Sequence, residues 1–313
     1  MPGMSDTLPP GGTGRPVDWL DVLAARRRFA RAAGSTAGVD PLAREIERRM
    51  TERLDLVRIV PERILDAGCG LGGAAAMLGK RYPRASIIGI DSAWQVLRQA
   101  ARSRSWRSRV QRIVSGNASL GICGDFCALP LAAGSMSMAW SNLALAWAPD
   151  PLRAFAEIGR VIASGGLLMF SSYGPDTLKE LRAAFAAVDA GTHVHPFVDM
   201  HDLGDMLVAS GFVAPVMDME TITLTYENFE GLARDLRLSG QSNMTRDRSR
   251  GLQGRKRFSA MRIAYETARK EGRLPATIEV IYGHAWRGEP RIAKDGRAII
   301  QLQLHEKRNS TRR

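Results

Sequence analysis

Apolar and polar positions change their period along the chain. Between Arg26 and Val57, residues Phe29, Leu42, Ile46, Met50 and Leu54 recur at helical spacing among arginines and glutamates, which predicts one or two amphipathic helices. From Arg63 to Phe212, short apolar runs alternate with helical stretches. Ile64 and Leu65 close a buried strand, 73–81 reads as a helix, 86–90 as a strand and 93–104 as a helix. A short strand falls at 113–117 or 122–123, another at 135–142, a helix at 151–162 and a strand at 166–172. Such alternation predicts a parallel sheet covered by helices on both faces.

Beyond Ser172 the pattern changes. Helices are predicted at 176–188 and 200–210, and 216–226 alternates as a long strand. The stretch 229–269 is helical and charged with a polar break at 240–254, and 277–286 is a last strand. Two long strands around a helical excursion predict an antiparallel edge with an inserted helical cap. The expected fold class is α/β, Rossmann-like, with a mostly parallel sheet. The expected division is 1–16 a disordered tail, 17–60 a helical segment, 61–226 a cofactor-binding domain, 227–275 the cap, 276–290 the final edge strand and 291–313 a basic tail.

Composition narrows this picture. The chain has 313 residues, 45% hydrophobic, enough to bury a full core. No apolar run approaches the roughly 18–20 residues of a membrane span, and the Gly/Pro-rich start has no apolar signal core. The three cysteines, Cys69, Cys123 and Cys127, are few and odd in number, which predicts reduced thiols and a cytoplasmic location. Cys123 and Cys127 have no two further ligands nearby, so no metal site is expected. His193 and His195 read as loop residues. The net charge of +12 favours acidic partners: nucleic acid, anionic membrane or an acidic protein.

The candidate chemistry sits where the first strand meets its helix. Asp66-Ala67-Gly68-Cys69-Gly70-Leu71-Gly72 is a glycine-dense turn, and Asp91 ends the next strand about twenty residues on, the order of a nucleotide-type cofactor site. The glycines allow close backbone approach, and Asp91 can take two ribose hydroxyls. Asp66 beside the turn repels a pyrophosphate but suits an ammonium or sulfonium, which favours S-adenosyl-L-methionine over a dinucleotide. Asp125 and Phe126 follow the third strand region, where an acid accepts from an adenine amino group and a ring flanks the base. Asn142 ends the fourth strand, at the sheet edge where open α/β folds bind ligands.

The series LDAGCGLG, GID, GDFCALPL, SNLALAW and GGLLMFSS resembles the class I S-adenosylmethionine-dependent methyltransferases. Ser172 to Leu181, His195-Pro196-Phe197, Asp202-Leu203 and Gly283-His284-Ala285-Trp286 extend the resemblance to the BioC-type malonyl-acyl carrier protein O-methyltransferases of biotin synthesis. They are similar also to complex I assembly methyltransferase-like proteins, a group associated with protein-arginine hydroxylation. The resemblance implies that Asp66, Gly68 and Gly70 hold the methionine end and that Asp91, with Ser92, takes the ribose. It implies further that Asp125 and Phe126 handle adenine and that Asn142 lies near the reactive methyl.

Two positions depart from the family pattern. Ala146 stands where members often carry histidine, and Thr36 where they often carry tyrosine. If the acceptor is the free carboxylate of a malonyl thioester, it is already ionised at neutral pH, and no catalytic acid or base is required. Trp147 and Tyr173 are then expected to bind the acceptor, with cap arginines such as Arg234, Arg237 or Arg255. The basic stretch from Arg246 to Arg257 is the expected contact for an acidic acyl carrier protein, whereas the arginines of the N-terminal segment read as solvated. The alternatives are a cofactor-binding assembly factor or hydroxylase, and an RNA methyltransferase. Nucleic acid is not the expected partner, because no Asn-Pro-Pro-Tyr-like segment and no cysteine beside a proline is present.

Overall fold

The computed structural model describes residues 19–34, 40–103, 119–249, 251 and 254–289. The expected tails, the 113–117 alternative for the third strand, and Thr36 lie outside the described residues. Among the described residues, two helices come first, α1 (Val22–Ala33) and α2 (Pro41–Arg53). Each has its own N-cap: Asp21 accepts from the Ala24 amide and Asp40 from those of Leu42 and Ala43, with Pro41 at the first helical position. Then follow β1 (Arg63–Ala67), α3 (Gly73–Arg81), β2 (Ser86–Asp91), α4 (Trp94–Ser103), β3 (Ser119–Cys123), β4 (Met136–Ser141), α5 (Pro151–Val161) and β5 (Ile162–Tyr173). The second half holds α6 (Lys179–Ala186), α7 (Met200–Ala209), β6 (Phe212–Tyr226), α8 (Phe229–Leu238), α9 (Arg255–Glu266) and β7 (Leu274–Arg287).

The strands form one sheet in the order β3-β2-β1-β4-β5-β7-β6. The pairs from β3 to β5 are parallel, and β7 runs antiparallel to both β5 and β6. The expected antiparallel end is present, but its order differs from expectation. β7 lies inside the sheet, between β5 and β6, and β6 is the edge. The reason is burial. Leu274 to Gly283 is buried at every position, whereas β6 alternates between exposed and half-buried side chains. A strand with neighbours and cover on both sides reads as continuously apolar, and one with a wet face alternates.

Helices cover both faces, and the period-2 geometry of the strands divides the core between them. Met138, Trp140, Leu167, Met169 and Tyr282 pack on one face with Ile46, Met50 and Leu54 from α2 and the turn after it. Ala139, Leu168, Phe170 and Ile281 point to the other, against Phe155 and Ile158 of α5 and Leu207 of α7. Among the described residues, no helix is long and apolar enough to cross a membrane.

Candidate functional site

β1 carries Asp66 to the carboxyl edge of the sheet, and the chain must turn there at once into α3. Gly68, Gly70 and Gly72 adopt φ of +80°, +51° and +83°, values that cost side-chain-bearing residues energy. A Cβ on Gly68 would stand 2.1 Å from that of Ala144, so the turn passes against the chain after β4 with no room for a side chain. The turn is fastened to β2. Gly68 and Cys69 amides donate to the Ile90 carbonyl at 2.8 and 3.0 Å. Gly70 donates to Asp91 Oδ2 at 3.1 Å, and Ala93 to Asp91 Oδ1 at 2.8 Å.

A cavity of about 590 Å³ opens above this turn, within the size range of small-ligand pockets. Asp66, Gly68, Gly70, Asp91, Ser92, Asp125, Phe126 and Asn142 all line it, so the tertiary fold brings every sequence-selected cofactor position to one space. Trp147 lines it too, edge-on to His195 and Phe29 with ring centroids 4.6 and 5.4 Å away. Tyr173 does not. It is 0% exposed, and its hydroxyl accepts from Gln241 Nε2 at 2.7 Å, so it braces a wall residue from behind. Arg234, Arg237 and Arg255 are also absent from the lining.

Sequence reading missed several lining groups. Arg26 and Arg44, from α1 and α2, line the cavity; Arg26 is half-buried there, whereas Arg44, like Arg27, Arg31 and Arg48, is exposed, in keeping with the expected solvated face. Glu47 of α2 and Asp40 join them. The only prior signal was helical spacing, which places Asp40, Arg44 and Glu47 along one side of α2. That spacing does not tell which surface α2 covers.

The electrostatics are dominated by crowded carboxyls. Asp66 is 2% exposed and its Oδ2 has no hydrogen-bond partner. Burial, reinforced by Glu47 and Asp91, pushes its pKa up to about 8. Burial also raises Glu47 to about 7, against the pull of Arg44. Asp91 is raised by burial despite its two amide donors. An unpartnered buried carboxyl with two more beside it suits a cationic ligand. The cationic methionine end of S-adenosyl-L-methionine fits that set, and the close-approach glycines fit its contact with backbone.

Asn142 ties elements together. Its Nδ2 donates to the Ala43 carbonyl of α2 at 3.0 Å, and its Oδ1 accepts from Ser171 Oγ at 2.7 Å. Next to it, Leu143 sits at φ +59°, and its amide donates to Ser171. Asp125 Oδ1 accepts from the Cys127 amide at 2.9 Å, and its Oδ2 stands 3.6 Å from Arg26. Cys123 and Cys127 face different carbonyls, those of Ser92 and Asp150. Ala146, at the position where the family pattern often has histidine, is buried in the core. His195 instead packs on Trp147, its Nε2 accepting from the Met244 amide at 3.2 Å.

The basic stretch after α8 is mostly committed to the fold. Arg248 pairs with Asp21 at 2.8 Å, Arg246 donates to the Leu20 carbonyl and Arg257 pairs with Asp189. Arg250 lies outside the described residues. Arg255 and Lys256, at the start of α9, are exposed.

Residues 65–170 match a family model described as a methyltransferase domain. The malonyl-[acyl-carrier protein] O-methyltransferase of Gallionella capsiferriformans (strain ES-2) is 47% identical over 285 residues, covering 91% of this chain and 97% of that protein. The protein of the same name from Laribacter hongkongensis (strain HLHK9) is 46% identical over 290 residues, covering 92% and 97%. The crystal structure of the YcgJ protein from Bacillus subtilis shares the fold, with a TM-score of 0.53 at 14% identity over 78% of this chain and 99% of that one. Identity of this level along nearly the whole of both sequences means that the chain belongs to the malonyl-[acyl-carrier protein] O-methyltransferase family of S-adenosyl-L-methionine-dependent methyltransferases.

Proposed function

We propose that the chain transfers a methyl group from S-adenosyl-L-methionine to the free carboxylate of a malonyl group carried by acyl carrier protein. One observation carries the cofactor half of this reading: the orphaned carboxyl of Asp66 lies beside Glu47 and Asp91 at the glycine turn. Asp66, with Glu47, receives the ammonium end of the cofactor. Asp91 and Ser92 take the ribose, and Asp125 and Phe126 the adenine. When bound, the cofactor supplies an electrophilic methyl on a cationic sulfur. The family relationship supports the acceptor.

The acceptor carboxylate is ionised in water at neutral pH, so no side chain has to remove a proton. The protein's work is to hold one carboxylate oxygen in line with the methyl and to keep water out. Trp147 and Phe29, with Leu20, Val22 and Ala25, give the cavity an apolar wall that suits the second task. Transfer joins an anion to a cationic donor and leaves two neutral products, so a drier site lowers the barrier.

The carrier is acidic, and the chain's surplus of basic groups speeds encounter with it. Arg255 and Lys256, exposed at the start of α9, are its contacts on this chain. The deciding experiment mixes the purified chain with S-adenosyl-L-methionine and malonyl-carrier and reads the intact mass of the carrier. Gain of one methyl group on malonyl-carrier, with none on acetyl-carrier, is the expected result. An unmodified malonyl-carrier in the presence of bound cofactor would overturn the reading.

A further inference from the structure

We infer that Arg26 is the group that binds the acceptor's carboxylate and so sets the enzyme's preference for a free acid over a neutral acyl group. The inference rests on the proposed acceptor and deepens it. An anionic acceptor meets an electrostatic obstacle here, because Asp40, Glu47, Asp66, Asp91 and Asp125 all line the cavity. Those of them that are ionised repel a further anion, so a cation at its destination favours the acceptor carboxylate.

Two cationic side chains, Arg26 and Arg44, line the cavity among the described residues. Arg44 acts electrostatically on Glu47, which lies beside Asp66 at the end assigned to the methionine moiety. Arg26 is placed differently. It belongs to α1 and lines the cavity together with the apolar residues Leu20, Val22, Ala25 and Phe29. Its Nε is buried and has no hydrogen-bond partner. Its nearest acid, Asp125, stands at 3.6 Å, an ion-pair distance too long for a hydrogen bond.

A guanidinium in this state holds unused donors in a planar fork, the shape that takes both oxygens of a carboxylate. The Asp125 contact also gives a reason for order. Once Asp125 accepts from an adenine amino group, its hold on Arg26 weakens and the guanidinium is free to turn to the acceptor. The cavity is then ready for the anion after the cofactor has entered. The product ester is neutral, so the interaction that admits the substrate is lost when the methyl is transferred, and release follows.

The test compares binding of two carriers to the cofactor-product-loaded protein: one bearing malonyl and one bearing its methyl ester. Wild type is expected to prefer the acid by about tenfold or more, the value of a charge-assisted pair. Arg26→Met, which keeps length and helix propensity, should bring that preference to within about twofold. Arg26→Lys, with charge but no fork, should restore part of it. Cofactor affinity, read by calorimetry, should stay within about fivefold in both variants, as for loss of a half-exposed ion pair. If Arg26→Met still prefers the acid as wild type does, Arg26 is not the binding group, and the proposed reaction stands. If wild type shows no preference and methylates neither carrier, the acceptor itself is wrong and the inference falls with it.

Discussion

Glu47 of α2 raises the pKa of Asp66 at the end of β1, although the two residues belong to elements that meet only in the folded chain. Both carboxyls are held above their ordinary values of 4.5 and 3.8, near 7 and near 8 respectively. Between the unfolded and folded values, the folded chain holds more protons than the unfolded one. The stability of the free protein is therefore full below about pH 4 for these groups and is lost as the pH rises through 7 and 8. A cationic ligand reverses the preference, because it needs the ionised forms. Cofactor affinity should rise from pH 6 to pH 9 while the free protein becomes easier to unfold. Asp66→Asn should flatten that pH dependence of stability and weaken the cofactor by about tenfold or more. Thermal unfolding and calorimetry at both pH values check the pair, and a variant with wild-type slopes in both would sink the argument.

Gly68 and Gly70 make a paired test of the turn. At Gly68, alanine meets Ala144 at 2.1 Å and must also hold φ +80°; at Gly70 a Cβ meets nothing within 4 Å. Gly68→Ala should lose about 2–5 kcal/mol through strain and overpacking. Gly70→Ala should lose only about 1–2 kcal/mol from its left-handed backbone. Urea midpoints measure the difference, and equal midpoints would contradict it.

Asn142 is expected to act through α2. Removing its amide frees the Ala43 carbonyl and the Ser171 hydroxyl, both hydrogen-bonded to it. Asn142→Ala should cost about 1–3 kcal/mol. It should also weaken the cofactor, because Arg44 and Glu47 ride on the same helix. Faster hydrogen exchange over 41–53 with weaker cofactor binding is the expected signature. Weaker binding with unchanged exchange would mean that Asn142 contacts the ligand itself.

Arg248 fastens the start of α1 to the segment after α8. Its pair with Asp21 is reinforced by the Leu20–Thr245 bridge and by the Arg246 amide on the Trp19 carbonyl. Arg248→Met should cost about 1 kcal/mol or less and raise exchange over 22–33 several-fold, about what that energy allows. The KM for the carrier should not move. A changed KM with unchanged exchange would return Arg248 to the docking surface.

How far the chain could be read depended on the range of the interactions. The alternation after Arg63, the glycine turn and the acids at Asp66, Asp91 and Asp125 are local patterns, and they carried the fold class and part of the lining of the cavity. Tyr173 was misplaced because its ring lies on the buried side of β5, and a strand's facing is not decided by one aromatic. β7 lies inside the sheet rather than at the expected edge, because a strand's partners cannot be read from its own residues.

The sequence by itself determined which residues sit at the carboxyl ends of β1, β2, β3 and β4, because strand period and turn chemistry act over a few residues. Only the tertiary structure decided that α1 and α2 close over those ends. Arg26, Arg44 and Glu47 enter the site from helices whose spacing shows an apolar face but not its destination. That destination is set by core packing of Ile46 and Met50 and by ties such as Asn142 to Ala43, contacts between residues far apart in the chain.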